Sequence, residues 1–192
     1  MNDVDARATW NNVQDAITNW LATRSDGNDL VLIYFVNHGG DGGFFFLDSN
    51  NDGDLDDPQD TIRDFELVNW LNQLTYLRLT FILEGCFSGD FIDDASGNNR
   101  IIITSTDGEN FAAPDTNTDW PAFSHTFFSE ILMGHTIGNA FEIAYNHVMN
   151  NVWSQDVNQN PLLDDNGDSI GNNGNGQLPA GGDGNLALIT PI

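Results

Sequence analysis

Two unbroken apolar runs, residues 30–36 (LVLIYFV) and 79–83 (LTFIL), stand out from a chain otherwise punctuated by Asp, Asn and Gly. A continuous apolar run of this length predicts a strand covered on both faces, as in a parallel sheet. Upstream, Trp10, Val13, Ile17, Trp20 and Leu21 recur every third or fourth residue, which predicts an amphipathic helix packed on that sheet. Residues 25–29 (SDGND) turn it into the first strand. A short apolar run follows at 44–47, then an acidic loop and a helix with Phe65, Val68, Leu71 and Leu74 on one face. A third core strand is expected at 101–104, helices near 124–133 and 136–152, and Ile137, Phe141, Ala144 and Val148 form the apolar stripe of the last one. Residues 154–185 are too rich in Asn, Asp and Gly for a core, and 186–189 is expected as a final edge strand. Strands alternating with helices imply an α/β fold with a mainly parallel central sheet flanked by helices. The length suits a single domain spanning residues 1–192.

Both apolar runs end in reactive residues. The first runs into Asn37-His38-Gly39-Gly40 and the second into Glu84-Gly85-Cys86-Phe87-Ser88-Gly89, with Cys86 the only cysteine. Ligands of open α/β sheets bind beyond the carboxyl ends of the strands, so both residues sit where chemistry is expected. The thiolate is the nucleophilic form of cysteine, and a neighbouring imidazole can take the thiol proton and later give it to a leaving amine. His38 and Cys86 thus suffice for acyl transfer through a thioester. Gly39 lets the backbone approach a substrate closely, and its N–H with that of Cys86 can form an oxyanion hole. A lone cysteine or histidine is more often structural. Their joint placement, histidine first and cysteine 48 residues later, follows the caspase-type order without the local caspase signature. The Gly-x-Ser-x-Gly elbow does not apply, because the central residue of Gly85–Gly89 is Phe87.

These segments are specific enough for a resemblance. VLIYFVNHGG (31–40) and FILEGCFSG (81–89) resemble the active-site blocks of the caspase, legumain and gingipain clan of cysteine peptidases, and Glu84-Gly85-Cys86 is most similar to the Glu-Ala-Cys of legumain-like members. RIIITSTDGE (100–109) looks like the next core strand with its substrate-binding stretch, and 123–141 like the helical region of bacterial and archaeal members; the similarity covers roughly residues 9–170. The resemblance implies a caspase-like three-layer fold, His38 as general base and acid, Cys86 as nucleophile, and Gly39 and Cys86 as oxyanion donors. It implies a cysteine endopeptidase acting on protein or peptide substrates. Phe87 stands where legumains carry an acid that shapes the primary pocket, which argues against strict asparagine specificity. Asp107 and Glu109 follow the third core strand, where the clan builds that pocket, and are candidates to attract a basic side chain. The expected cleavage is therefore after a basic or asparagine residue. Little chain precedes the histidine strand, where the clan has another strand and helix, so the expectation is a sheet lacking its first strand and an N-terminus cut short or begun late. Two rivals remain: a transamidase or ligase using the same dyad, and a non-catalytic calcium-binding caspase-like module.

Charge narrows the partners. Five Arg, no Lys and 29 acidic residues give a net charge of -24, which excludes nucleic acid and anionic membrane surfaces as natural partners and favours cations. No apolar run is long enough to span a bilayer and no signal-peptide pattern opens the chain, so a soluble protein is expected, secreted if a leader is missing. The acids cluster in loops. Asp48, Asn50, Asp52 and Asp54 stand at alternate positions with Gly53 at the sixth, the start of an EF-hand-type loop whose twelfth position is Gln59, leaving closure to Asp57 or Asp60. Asp164, Asn166 and Asp168 repeat the alternation, with Ser169 in place of glycine. The expectation is structural calcium at one or both loops; the alternative is a solvated turn. His125, His135 and His147 do not make a zinc set and are expected at the surface or as helix caps. Trp120 and Phe111 are candidates for a cleft lining or for the core.

Overall fold

A computed structural model describes residues 6–47, 49, 50, 52, 60–118 and 120–192. Helix α1 (Trp10–Asp15) is capped by the Thr9 hydroxyl and runs on as a π-helical stretch, Ala16–Leu21. Next come β1 (Leu30–Val36), the short strands β2 (Gly39–Gly40), β3 (Phe44–Phe46) and β4 (Thr61–Arg63), α2 (Asp64–Leu71) and β5 (Arg78–Glu84). A 3-10 turn, Ser88–Phe91, leads into α3 (Ile92–Ala95), followed by β6 (Arg100–Thr104), α4 (Ala122–Leu132), α5 (Ile137–Asn150), α6 (Val152–Asp156), β7 (Leu162–Asp164) and a final 3-10 turn, Ala187–Ile189.

Among the described residues the main sheet has the order β1-β5-β6-β7, with β1, β5 and β6 parallel and β7 antiparallel to β6. Strands β2, β3 and β4 form a separate antiparallel sheet at the carboxyl end of β1. Period-two alternation gives β5 and β6 two buried faces. Leu79, Phe81, Leu83 and Ile102 pack with Leu67, Trp70 and Leu71 of α2 and Phe91 and Ile92 beyond β5. Ile82, Ile101 and Ile103 pack with Phe123 and Phe127 of α4 and with Ile137, Phe141, Ala144 and Val148 of α5. Each of those four α5 residues is fully buried, as the stripe predicts. The architecture is the expected α/β one, helices on both faces of a mainly parallel sheet.

Several expectations are corrected. Strand β1 is not buried on both faces: it pairs only with β5, and Leu30, Leu32 and Val36 are 51%, 38% and 53% exposed. An apolar run reports burial only when neighbours exist on both sides, and among the described residues β1 is an edge strand. In α2 the buried face is Leu67, Trp70 and Leu71, while Phe65 is exposed. The wide π turn swings Trp20 into solvent, where the Arg24 guanidinium covers its ring. Residues 154–185 do reach the core, because Leu163 of β7 is fully buried against β6. Residues 186–189 form no strand: the Asp165 carboxylate accepts from the Leu186 and Ala187 amides and holds them in a 3-10 turn.

Candidate active site

Residues His38 and Cys86 are brought together by backbone contact between two loops. In register, Val36 at the end of β1 faces Glu84 at the end of β5, and the Asn37 amide extends the ladder by donating to the Glu84 carbonyl at 3.1 Å. Asn37 then fixes the histidine segment on both sides. Its Oδ1 accepts from the His38 amide at 2.7 Å and its Nδ2 donates to the Phe46 carbonyl at 2.7 Å. Beyond it two glycines let the loops touch. A Cβ on Gly39 would lie 2.2 Å from the Cys86 carbonyl oxygen, and one on Gly85 would lie 2.5 Å from the Asn37 carbonyl oxygen. Any side chain at either position would force the histidine and cysteine segments apart, so Gly39 serves the close approach of the protein to itself.

Both side chains line one cleft of about 250 Å³, with Glu84, Ala112, Ala113 and Pro114 among its other walls. His38 is exposed and Cys86 half-buried, with Sγ 4.0 Å from the Ala112 carbonyl oxygen. Phe46 N donates to His38 O at 2.9 Å, which makes Gly39 and Phe45 a non-hydrogen-bonded antiparallel pair and turns the Gly39 N–H out of the ladder. The Cys86 N–H meets no acceptor among the described residues. Phe87, directly after it, has φ 56°, a left-handed conformation strained for an aromatic residue. Its amide donates to Asn110 O at 2.9 Å and its ring meets Phe111 at 5.0 Å, which hold the strained turn.

Glu84 sits on the face of β5 that meets α4 and is 3% exposed. Helix α4 begins after Pro121 with no side-chain cap of its own, and Glu84 Oε2 accepts from the Ser124 amide at 3.0 Å. The carboxylate thus satisfies one of the amides that every helix start leaves open. Burial nevertheless holds the Glu84 carboxyl above its ordinary range, the hydrogen bonds from Ser105 and Ser124 opposing that shift. Burial, with the Glu84 charge adding to it, also pushes Tyr34 up to about 12; its hydroxyl donates to Ser124 Oγ at 2.9 Å.

The outer wall is held by buried amides. Gln159 Oε1 accepts from Ala113 N at 3.0 Å and Gln159 Nε2 donates to Ser105 O at 2.9 Å. His147 is neither a free surface group nor a cap: Nε2 lies 2.5 Å from buried Asp115 Oδ2 in the same loop. His135 pairs with Glu130 and His125 stacks on Trp120. Trp120 and Phe111 are exposed and belong neither to the core nor to the cleft lining. Gln159 carries no local sequence signal, because its role depends on burial.

Asp107 and Glu109 lie outside the cleft lining, on a separate hollow of about 660 Å³ with Asp41, Asp64, Asp90 and Asp93. Asp107 is also engaged locally, accepting from the Glu109 amide and the Asn110 and Asn160 carboxamides. A third, apolar groove of about 480 Å³ between α1 and the outer part of β1 contains neither His38 nor Cys86. Of the first acidic loop, Asp48, Asp54 and Asp57 lie outside the described residues. Asn50 Nδ2 donates to Asp52 Oδ2, and Asp60 Oδ1 accepts from Ser49 N while its buried Oδ2 meets no donor among the described residues. In the second loop Asn166 is occupied internally, its Oδ1 accepting from Asp168 N and its Nδ2 donating to Asp168 Oδ2. The residue that joins Asp164 and Asp168 is Asp183, fully buried, whose carboxyl is pushed up to about 6 by burial and the neighbouring Asp164 and Asp165.

A histidine and a thiol on one cleft beyond the ends of parallel strands are the architecture of a caspase-like cysteine peptidase. The comparison with known families is more particular: the peptidase C13 family model matches residues 11–166. The chain belongs to that family, the legumain family of cysteine-type peptidases, which are hydrolases of proteins. No curated protein matches it. Among the described residues no helix is long and apolar enough to cross a membrane.

Proposed function

We propose that the protein is an endopeptidase in which Cys86 is the nucleophile and His38 the general base and acid. The observation that carries this reading is the glycine-mediated contact of the two loops, with Gly39 against the Cys86 carbonyl and Gly85 against the Asn37 carbonyl. His38 takes the Cys86 thiol proton as sulfur attacks the scissile carbonyl, and the Gly39 and Cys86 amides receive the developing oxyanion. The C–N bond then breaks as His38 passes the proton to the leaving amine. Water, deprotonated by His38, hydrolyses the thioester and restores the thiol.

The acidic surroundings of the cleft suit a basic or carboxamide side chain before the scissile bond, whereas the Glu84 carboxyl is buried and already accepts from Ser124 and Ser105. Asp107 and Glu109, on the neighbouring acidic hollow, suit a basic residue further along the substrate. The test is hydrolysis of fluorogenic peptides bearing Arg, Asn or Asp at the cleavage position. Arg or Asn peptides are expected to be cut, and Cys86→Ala or His38→Ala to lower kcat/KM by at least about a thousandfold with Tm unchanged. Retained hydrolysis in either variant would sink the dyad; a product joined to an added amine in place of a free acid would make the enzyme a ligase.

A further inference from the structure

A cluster remote from the peptidase chemistry has the composition of an ion site. One carboxylate oxygen from each of Asp164, Asp168 and Asp183 lies within 4.8 Å of the other two. Ligands on opposite sides of a calcium ion are separated by about twice its 2.3–2.6 Å bond length, so this spread fits one coordination shell. The second observation is independent of the clustering. Asp164 is 1% exposed, its Oδ1 accepts from the Asn166 and Gly167 amides at 3.2 and 3.0 Å, and its Oδ2 is buried with no donor among the described residues. A buried carboxylate oxygen without a partner is costly, and the chain has no Lys to supply one. Among the described residues the ion pairs involve only His135 and His147.

We propose that Asp164, Asp168 and Asp183 hold a calcium ion that ties the turn after β7 to the segment around residue 183. The all-oxygen donor set, with no imidazole or thiolate, selects a hard divalent cation over zinc or copper. Several direct carboxylates favour calcium over magnesium, which keeps more of its own water. Asp168 is exposed, so water can complete the shell from that side. The two strands of chain are already pre-positioned: Asp183 Oδ1 accepts from the Asp165 and Asn166 amides at 3.0 and 3.3 Å, and Asp165 Oδ1 accepts from Gly184 N at 2.9 Å. The ion neutralises the crowded acids and stabilises the turn; it takes no part in peptide hydrolysis.

The test is calorimetric titration of calcium chloride into the intact chain freed of metal by chelator, with Tm read in parallel. One site is expected, with Tm raised by about 5 °C at saturation. Asp168→Asn, an exposed change that leaves the buried bonds intact, is expected to weaken binding at least tenfold, and Asp183→Asn to do the same. If Asp183→Asn fails to fold, Asp168→Asn decides. Absence of binding heat and of a Tm shift in the intact chain, or undiminished binding in Asp168→Asn, would overturn the proposal. Equal affinity for magnesium would overturn the assignment to calcium.

Discussion

The cleft and the acidic turn region are both junctions of distant chain segments, held by opposite means. At the cleft, apolar strands β1 and β5 deliver two loops in parallel register, and glycines allow backbone to meet backbone. Around residues 164–187 the contacts are carboxylates gripping amides, with Asp165 alone accepting from Gly184, Leu186 and Ala187. The first junction leaves no room for change in shape and carries little charge. The second concentrates negative charge beside the core. Chemistry that depends on sub-ångström placement fits the first, and an ionic or solvent-dependent contribution to stability fits the second.

The largest expected break is at the glycines. Gly39→Ala places a methyl on the Cys86 carbonyl and Gly85→Ala one on the Asn37 carbonyl, and the backbone must move because neither neighbour is a flexible side chain. Each is expected to cut kcat/KM by at least about a hundredfold, through a displacement on the order of 1 Å, and to destabilise by about 1–3 kcal/mol, read by peptide kinetics and urea unfolding. Asp165→Asn is expected to lower stability while sparing activity. Loss of one charged acceptor from three backbone donors lowers stability by about 2 kcal/mol, while kcat/KM at low temperature stays within about twofold of the parent. Comparable activity losses in both sets would erase the distinction.

The smallest effect concerns Glu84, whose carboxyl burial holds above its ordinary value of 4.5. A raised folded-state value means the unfolded chain releases its proton first, so this group's contribution is full at low pH and is lost as pH rises from about 4.5 through the folded value. Glu84→Gln keeps an acceptor for the Ser124 amide and removes the charge. Stability of the variant relative to the parent is therefore expected to increase with pH over that window, measured by urea midpoints across a pH series. A flat difference would show that Glu84 is not desolvated.

Legibility in the sequence followed the kind of contact. The strands ending at His38 and Cys86 and the stripe of α5 were readable because periodicity and run length encode burial locally. The edge position of β1 among the described residues is not legible in its apolar run, which does not say whether a strand lies on its far side, and agrees instead with the expectation of a sheet lacking the clan's first strand. Leu162–Asp164 is not legible because a three-residue strand inside a polar stretch has too few positions to show alternation. Glu84 stands in a recognisable motif, yet its link to Ser124 spans 40 residues and depends on the sheet register. Alternate acids pointed to Asp164 and Asp168, and the fold sets Asp183 beside them, which no local spacing can reveal.

The most direct test of the account is intact-mass labelling of the folded chain with peptidyl acyloxymethyl ketones bearing Arg, Asn or Asp at the reactive position. A single adduct on Cys86 is expected with the Arg or Asn probe, absent in Cys86→Ala and strongly slowed in His38→Ala and Gly39→Ala. No adduct on a chain shown to be folded, or equal labelling in His38→Ala and Gly39→Ala, would contradict the claim that the two strand ends form one catalytic site.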